Sequence, residues 1–163
     1  MTPEQIISDC RSAGKKLIFA ESLTGGLLVD AFVSVAAASD VVLGSEVTYS
    51  NELKVALLGV DEDELTKHGA VTATIAKQMA TAAHAIGQTA ADLAGSNVIA
   101  ASTTGNAGPT GEPVGLVYVA VTDGIKTKVQ EFQFSGARQE IREQTVAEAI
   151  KLISQFSGNS KVL

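Results

Sequence analysis

Apolar residues fall along this chain in short dense runs, each closed by glycine, serine, asparagine or aspartate, and the runs alternate between strand and helix character. Thr2-Pro3-Glu4-Gln5 starts a helix, with Thr2 able to cap and Pro3 suited to the first helical position, and Ala13-Gly14 ends it after Ser12. Lys16–Ala20 is a buried strand, Glu21–Gly26 a strand-to-helix turn, and Leu27–Ala38 a packed helix. Val41–Ser50 is the next strand. Asn51–Leu58 is a helix closed by Gly59, and a short helix begins at Asp61 with acids in its first turn and ends at His68-Gly69. A long alanine-rich helix spans Thr72–Ala94, stopped by Gly95-Ser96. Asn97–Ser102 is a strand feeding the glycine-rich loop Thr104–Gly111. Val114–Thr122 and Lys126–Phe134 are strands around a tight turn at Asp123-Gly124, and Arg138–Phe156 is an amphipathic helix with a frayed tail after Gly158. Strands alternating with helices, then a late hairpin, predict an α/β fold: a three-layer α/β/α sandwich with a mixed, mostly parallel sheet, in one domain over 1–163.

Composition narrows the function. The chain has 163 residues, enough to enclose a core without staples, and is 45% apolar and 18% charged. Lys plus Arg number 12 against 18 Asp plus Glu, for a net charge of −6, with no dense basic stripe, which excludes general nucleic-acid binding. A local anion site survives that exclusion, because backbone N–H groups bind phosphate without net positive charge. The single cysteine, Cys10, forms no intramolecular disulfide and reads as a small buried apolar residue. No run approaches the roughly 18 to 20 apolar residues that span a bilayer, and the N-terminus is not a signal peptide, so a cytoplasmic protein without a membrane partner is expected.

Candidate chemistry clusters where the elements change. Val47–Lys54 sets a tyrosine and a lysine at the end of a strand and in the first turn of a helix, where open α/β sheets build their sites. Ser39 lies upstream of the same strand. A serine becomes a nucleophile when a base takes its proton, and a lysine is that base only when its pKa is lowered. Ser39, Tyr49 and Lys54 therefore make one candidate set, with Tyr49 relaying a proton or holding the lysine. Spacing alone leaves open a core tyrosine and a surface lysine.

Thr104, Gly105, Asn106, Ala107 and Gly108 follow a strand and suit a phosphate, or form an ordinary wide turn. Glu21, Ser22, Thr24 and Gly25 open on the same carboxyl edge, with Ser22 or Thr24 as a helix cap. Arg138 and Arg142 share one helix face, able to meet a phosphate or carboxylate, or solvent. His68 and His84 have no second ligand at helical spacing, and no metal is expected.

Together these segments resemble the CinA C-terminal domain family, whose characterised activity is nicotinamide mononucleotide deamidation. The family's A-E-S-C-T-G-G is similar to Ala20–Gly26, and its V-T-Y-S-N-x-x-K stands in full at Val47–Lys54, followed by Leu58-Gly59-Val60. Its H-G-A-V is His68–Val71. Its T-G-x-A-G-P-x-G and P-V-G are Thr104–Gly111 and Pro113–Gly115, and its F-S-G-D-R resembles Phe134–Arg138. Leu23 stands for the usual cysteine and Ala137 for the aspartate. The segment after Gly111 is short, and Ser39 lies in Ala38-Ser39-Asp40 rather than G-S-S.

The resemblance implies a serine, tyrosine and lysine catalytic set, placed on Ser39, Tyr49 and Lys54, that hydrolyses the nicotinamide carboxamide without metal or cofactor. It implies substrate binding by Glu21, Ser22, Thr24, Gly25, the Thr104–Gly108 loop, Arg138 and Arg142. It also implies a small-molecule nucleotide as partner and a homo-oligomer, a dimer or larger. Full-length relatives often join this domain to an N-terminal pyrophosphatase-like domain, so a standalone amidohydrolase is expected here. The alternative is a nucleotide-binding module with lost or altered activity.

Overall fold

Strand β1 (Lys15–Glu21) is buried on both faces, which is what its unbroken apolar run requires of a central parallel strand. In the computed structural model, which describes residues 1–92, 96–111 and 113–158, β1 lies between β2 (Val42–Val47) and β3 (Asn97–Gly105) and is parallel to both. Strand β4 (Leu116–Thr122) runs antiparallel to β3, and β5 (Thr127–Gln133) antiparallel to β4, giving the order β2-β1-β3-β4-β5. Every strand but β4 therefore points the same way, and the sheet is mixed.

Helices cover both faces. On one, α1 (Pro3–Ser12), α2 (Leu27–Val33) and α6 (Arg138–Ser157) close over Leu17, Phe19, Ile99 and Val119, with the rings of Phe19 and Phe32 stacked at 5.2 Å. On the other, α3 (Asn51–Leu58), α4 (Glu62–His68) and α5 (Ala73–Asp92) cover Ile18, Ala20, Val98 and Ala100. This is the expected α/β/α sandwich. Thr2 caps α1 and Gly59 ends α3 as expected; the α1 cap is a full capping box with Gln5, and Gly59 is left-handed. Cys10 is buried, and that burial pushes its thiol up to about 11.

Several boundaries differ from expectation, each for a local reason. Helix α2 stops at Val33 rather than Ala38. The chain turns through Ser34–Ala37, with Ala37 left-handed, into a one-turn 3-10 segment at Ala38–Asp40, which returns Val41 to the core before β2. Strand β2 ends at Val47, leaving Thr48–Ser50 as a link in which Ser50 Oγ caps α3. Strand β3 continues through Gly105 because Thr103, Thr104 and Gly105 pair with Val119, Tyr118 and Val117. The β4–β5 connection is the wider turn 123–126, held by Asp123 Oδ1 accepting from the Ile125 and Lys126 N–H groups. The expected helix end at Leu93–Gly95 and the tail after Gly158 lie outside the described residues. No helix among the described residues is long and apolar enough to cross a membrane.

Candidate active site

Because β2, β1 and β3 are parallel, their carboxyl ends meet on one edge and carry Thr48, Glu21-Ser22 and Thr103-Thr104 there together. The Ser22 N–H donates to the Thr103 carbonyl at 3.0 Å, and the Thr48 N–H to the Glu21 carbonyl at 2.9 Å, so the three strand ends are tied laterally. Helix α3 starts just beyond β2 and directs Lys54 back over this edge. Lys54 is only 1% exposed. Its Nζ lies 3.0 Å from Ser22 Oγ, 2.7 Å from the Thr48 carbonyl oxygen and 3.2 Å from that of Tyr49.

That contact set decides what the lysine can do. A carbonyl only accepts, so the Thr48 and Tyr49 oxygens each take an N–H from Nζ. The hydroxyl of Ser22 is the reversible partner: it accepts from the ammonium and donates to the lone pair of the neutral amine. Burial lowers the Lys54 pKa from 10.5 to about 8, so the neutral form is within reach near neutral pH. Ser22 is 7% exposed, beside the lysine. Thr48 is fully buried next to this pair, and its Oγ1 has no hydrogen-bond partner among the described residues.

Ser39 is not part of this arrangement. It is exposed in the 3-10 segment that precedes β2, at the amino end of the sheet, where Lys16 Nζ donates to the neighbouring Asp40 carbonyl at 2.6 Å. A residue ahead of a strand cannot reach the edge beyond that strand's end. Tyr49 is at the site by its backbone, but its ring is 61% exposed and its hydroxyl accepts from Arg138 at 2.9 Å rather than touching Lys54 Nζ or Ser22. The Tyr49 carbonyl, not its ring, meets Lys54 Nζ, and the serine that Lys54 meets is the one that follows β1.

Glu21 and Thr24 hold the frame rather than face a substrate. Fully buried Glu21 accepts at Oε1 from Thr24 Oγ1 and the Gly26 and Leu28 N–H groups, and at Oε2 from the Val29 N–H and Ser45 Oγ. It thereby caps α2 across the turn, a role a side-chain cap would otherwise fill. Thr24 Oγ1 also shares a hydrogen bond with Thr103 Oγ1 at 2.8 Å. Glu21→Gln puts an amide NH2 against a main-chain N–H that can only donate, whichever oxygen it replaces, and is expected to cost about 3 kcal/mol of stability. Urea unfolding checks it; a loss under about 1 kcal/mol would remove Glu21 as the anchor of this turn.

The glycine-rich loop is largely satisfied from within. Thr104 Oγ1 donates to the Ala70 carbonyl, the Asn106 N–H to the Leu116 carbonyl, and the Gly108 N–H to Asn106 Oδ1. Ala107 is buried, and Gly105 lies in β3. The N–H cradle expected over Thr104–Gly108 is thus not open at Asn106 or Gly108. Gly108 is left-handed, and a Cβ there would stand 2.7 Å from Val114 Cγ1. The loop is instead bound to Arg138, which donates to the Gly108 carbonyl as well as to the Tyr49 hydroxyl. These partners orient Arg138 where Ala137 offers no carboxylate. Arg142 donates to the Leu23 and Thr24 carbonyls at 2.8 and 3.2 Å, and Gly25 closes that turn with its N–H on the Ser22 carbonyl.

Two grooves lie away from this edge: one of about 640 Å³ between the end of α3 and α5, and one of about 430 Å³ between α3 and α4. Neither is lined by Ser22, Tyr49 or Lys54.

The family profile of the CinA C-terminal domain matches residues 1–157. The chain belongs to that family. As a CinA C-terminal domain, it is 39% identical over 161 residues to a CinA-like protein of Sulfurihydrogenibium sp., covering 96% of this chain and 36% of that one. It is 42% identical over 154 residues to a putative competence-damage inducible protein of Caldicellulosiruptor saccharolyticus, covering 92% and 36%. The domain thus spans about a third of the length of the curated relatives it matches. Among solved structures it is similar to the competence/damage inducible protein CihA from Agrobacterium tumefaciens, with TM-score 0.83 and 36% identity over 94% of this chain and 92% of that one. The competence damage-inducible protein A of Klebsiella pneumoniae gives 0.82 at 28% identity over 95% and 96%.

Proposed function

We propose that this domain is an amidohydrolase that cleaves the carboxamide of nicotinamide mononucleotide to nicotinic acid mononucleotide and ammonia, with Ser22 as nucleophile and Lys54 as its base. The supporting observation is the 3.0 Å contact between Lys54 Nζ and Ser22 Oγ, with carbonyl acceptors as the lysine's other partners. Neutral Lys54 gives its two N–H bonds to the Thr48 and Tyr49 carbonyls, so its lone pair faces the serine hydroxyl. Ser22 Oγ bonds to the amide carbon while its proton passes to Lys54 Nζ. The C–N bond then breaks, the Lys54 proton goes to the departing nitrogen, and ammonia leaves an ester on Ser22. Water adds to that ester, giving a proton to Lys54. The acid leaves as the proton returns to Ser22 Oγ.

Substrate recognition falls to the side chains above the edge. Arg138 uses guanidinium donors on Gly108 and Tyr49 and keeps others for an anionic group, which suits the phosphate of a mononucleotide. The exposed Tyr49 ring offers a face for the pyridine.

Purified protein is expected to release one ammonia for each nicotinic acid mononucleotide formed, measured by coupled ammonia assay and chromatography of the nucleotide. Folded protein that binds the mononucleotide by calorimetry but releases no ammonia would overturn the enzymatic reading and leave a nucleotide-binding module.

A further inference from the structure

Tyr49 joins the two ends of the site. Its carbonyl accepts from Lys54 Nζ at 3.2 Å, and that nitrogen lies 3.0 Å from Ser22 Oγ. Its hydroxyl, at the other end of the side chain, accepts from a terminal nitrogen of Arg138 at 2.9 Å. The main chain next to it is held as well, because Ser50 Oγ accepts from the Leu53 N–H at 3.1 Å and caps α3. The exposed ring of Tyr49 thus stands on a fixed base, and its hydroxyl meets Arg138 at a reach that the side chain sets.

Arg138 depends on such a partner. It is exposed in the first turn of α6, where a long side chain is ordinarily free to change rotamer. Two acceptors hold it, one on each terminal nitrogen: the Gly108 carbonyl and the Tyr49 hydroxyl. Gly108 is tied in turn by its N–H to Asn106 Oδ1 at 2.8 Å. With the Gly108 carbonyl alone, the guanidinium plane can rotate about that single bond, and the phenol removes this freedom. Neither acceptor carries charge. No carboxylate pairs with Arg138 among the described residues, where the ion pairs are Arg11–Asp40 and Lys151–Glu148. The guanidinium is therefore oriented without being neutralised, and its spare N–H groups suit the oxygens of a phosphate.

We propose that the Tyr49 hydroxyl is a positioning group that orients Arg138 for the phosphate of the substrate, at a reach from Ser22 set by the tyrosine side chain. This rests on the mononucleotide reading of the site. The hydroxyl acts through Arg138 and takes no part in the proton transfers between Ser22 and Lys54. An amide without an anionic group gains nothing from the pair, so the selected substrates are those that carry a phosphate.

The test is a double-mutant cycle of Tyr49→Phe and Arg138→Met. It is read in kcat and KM for ammonia release from nicotinamide mononucleotide, and in the calorimetric Kd of nicotinic acid mononucleotide. Phenylalanine keeps the ring and removes only the hydroxyl, and thermal melting reports on folding. Tyr49→Phe is expected to raise KM and Kd about tenfold, the lower end for a hydrogen bond to a charged group, with the effect on kcat under about threefold. In the Arg138→Met background the same substitution should change KM and Kd by less than about twofold, because the group it positions is gone. Parental KM and Kd in Tyr49→Phe, a loss carried by kcat, or two effects that multiply independently in the double variant overturn the proposal. Parent protein that binds the mononucleotide without turnover overturns the amidase reading, and the Kd values then decide this inference by the same criteria. An active parent whose KM and Kd are indifferent to Tyr49→Phe overturns the inference alone.

Discussion

Ser22→Ala is expected to reduce ammonia release from nicotinamide mononucleotide on the order of 10⁴-fold or more, the scale seen when a serine nucleophile is removed. Calorimetric binding of the mononucleotide should persist, because the substitution deletes one oxygen at an edge otherwise tied by main-chain bonds through Thr103 and Glu21. Ser39→Ala is the matched control, and its turnover should stay within about twofold of the parent, as for an exposed position remote from the chemistry. The pair separates the two serines cleanly. Parental activity in Ser22→Ala, or its loss in a folded Ser39→Ala protein, would return the chemistry to the amino end of the sheet.

Lys54→Met is expected to lower kcat by about 10²- to 10⁴-fold, the usual span for removing a general base. The parent protein gives an independent test of the proposed base through pH. With Lys54 at about 8, kcat/KM should rise about tenfold per pH unit below that value and level off above it. Activity is thus lost as pH falls through the lowered pKa. Rate profiles from pH 6 to 10 check this, and a level profile across that window would sink Lys54 as base.

Stability follows the same proton with its own sign. Between about 8 and 10.5 the unfolded chain binds the proton that folded Lys54 has lost. This group therefore opposes folding in full below that window, and the opposition fades as pH rises through it. The lysine's low basicity and its cost to folding have one cause, which is burial.

The order of strands and helices, the cap at Thr2 and the end of α3 at Gly59 were all legible, because they depend on residues near in sequence. Tyr49 meets Lys54 by its main-chain carbonyl alone, a contact that side-chain spacing does not state. Ser39 lies apart from Lys54 because nearness along the chain is not nearness in the fold. Ser39 precedes β2, and a site at the carboxyl edge takes residues that follow strands, so Ser22 after β1 was the candidate consistent with that rule. Its contact with Lys54 depends on β1 and β2 pairing in parallel with Glu21 opposite Val47, which no local pattern states. The role of Arg142 was less accessible still. It joins the last helix to a turn near the start of the chain, and the carbonyls it holds carry no side-chain signature. The glycine-rich loop has a composition that suits an anion, but the N–H groups of Gly108 and Asn106 go to Asn106 Oδ1 and the Leu116 carbonyl.

The enclosure of Lys54 reverses a familiar ranking of amines toward covalent reagents. An amine of low basicity is ordinarily the first lysine to be acylated, since more of it is neutral in water. Here that amine is 1% exposed and engaged by Thr48, Tyr49 and Ser22. Bulky acylating reagents would mark the surface lysines and pass Lys54 by. On the proposed amidase reading, a covalent inhibitor of this site would therefore be built to capture the hydroxyl of Ser22, with the lysine behind it as the activator and not the target.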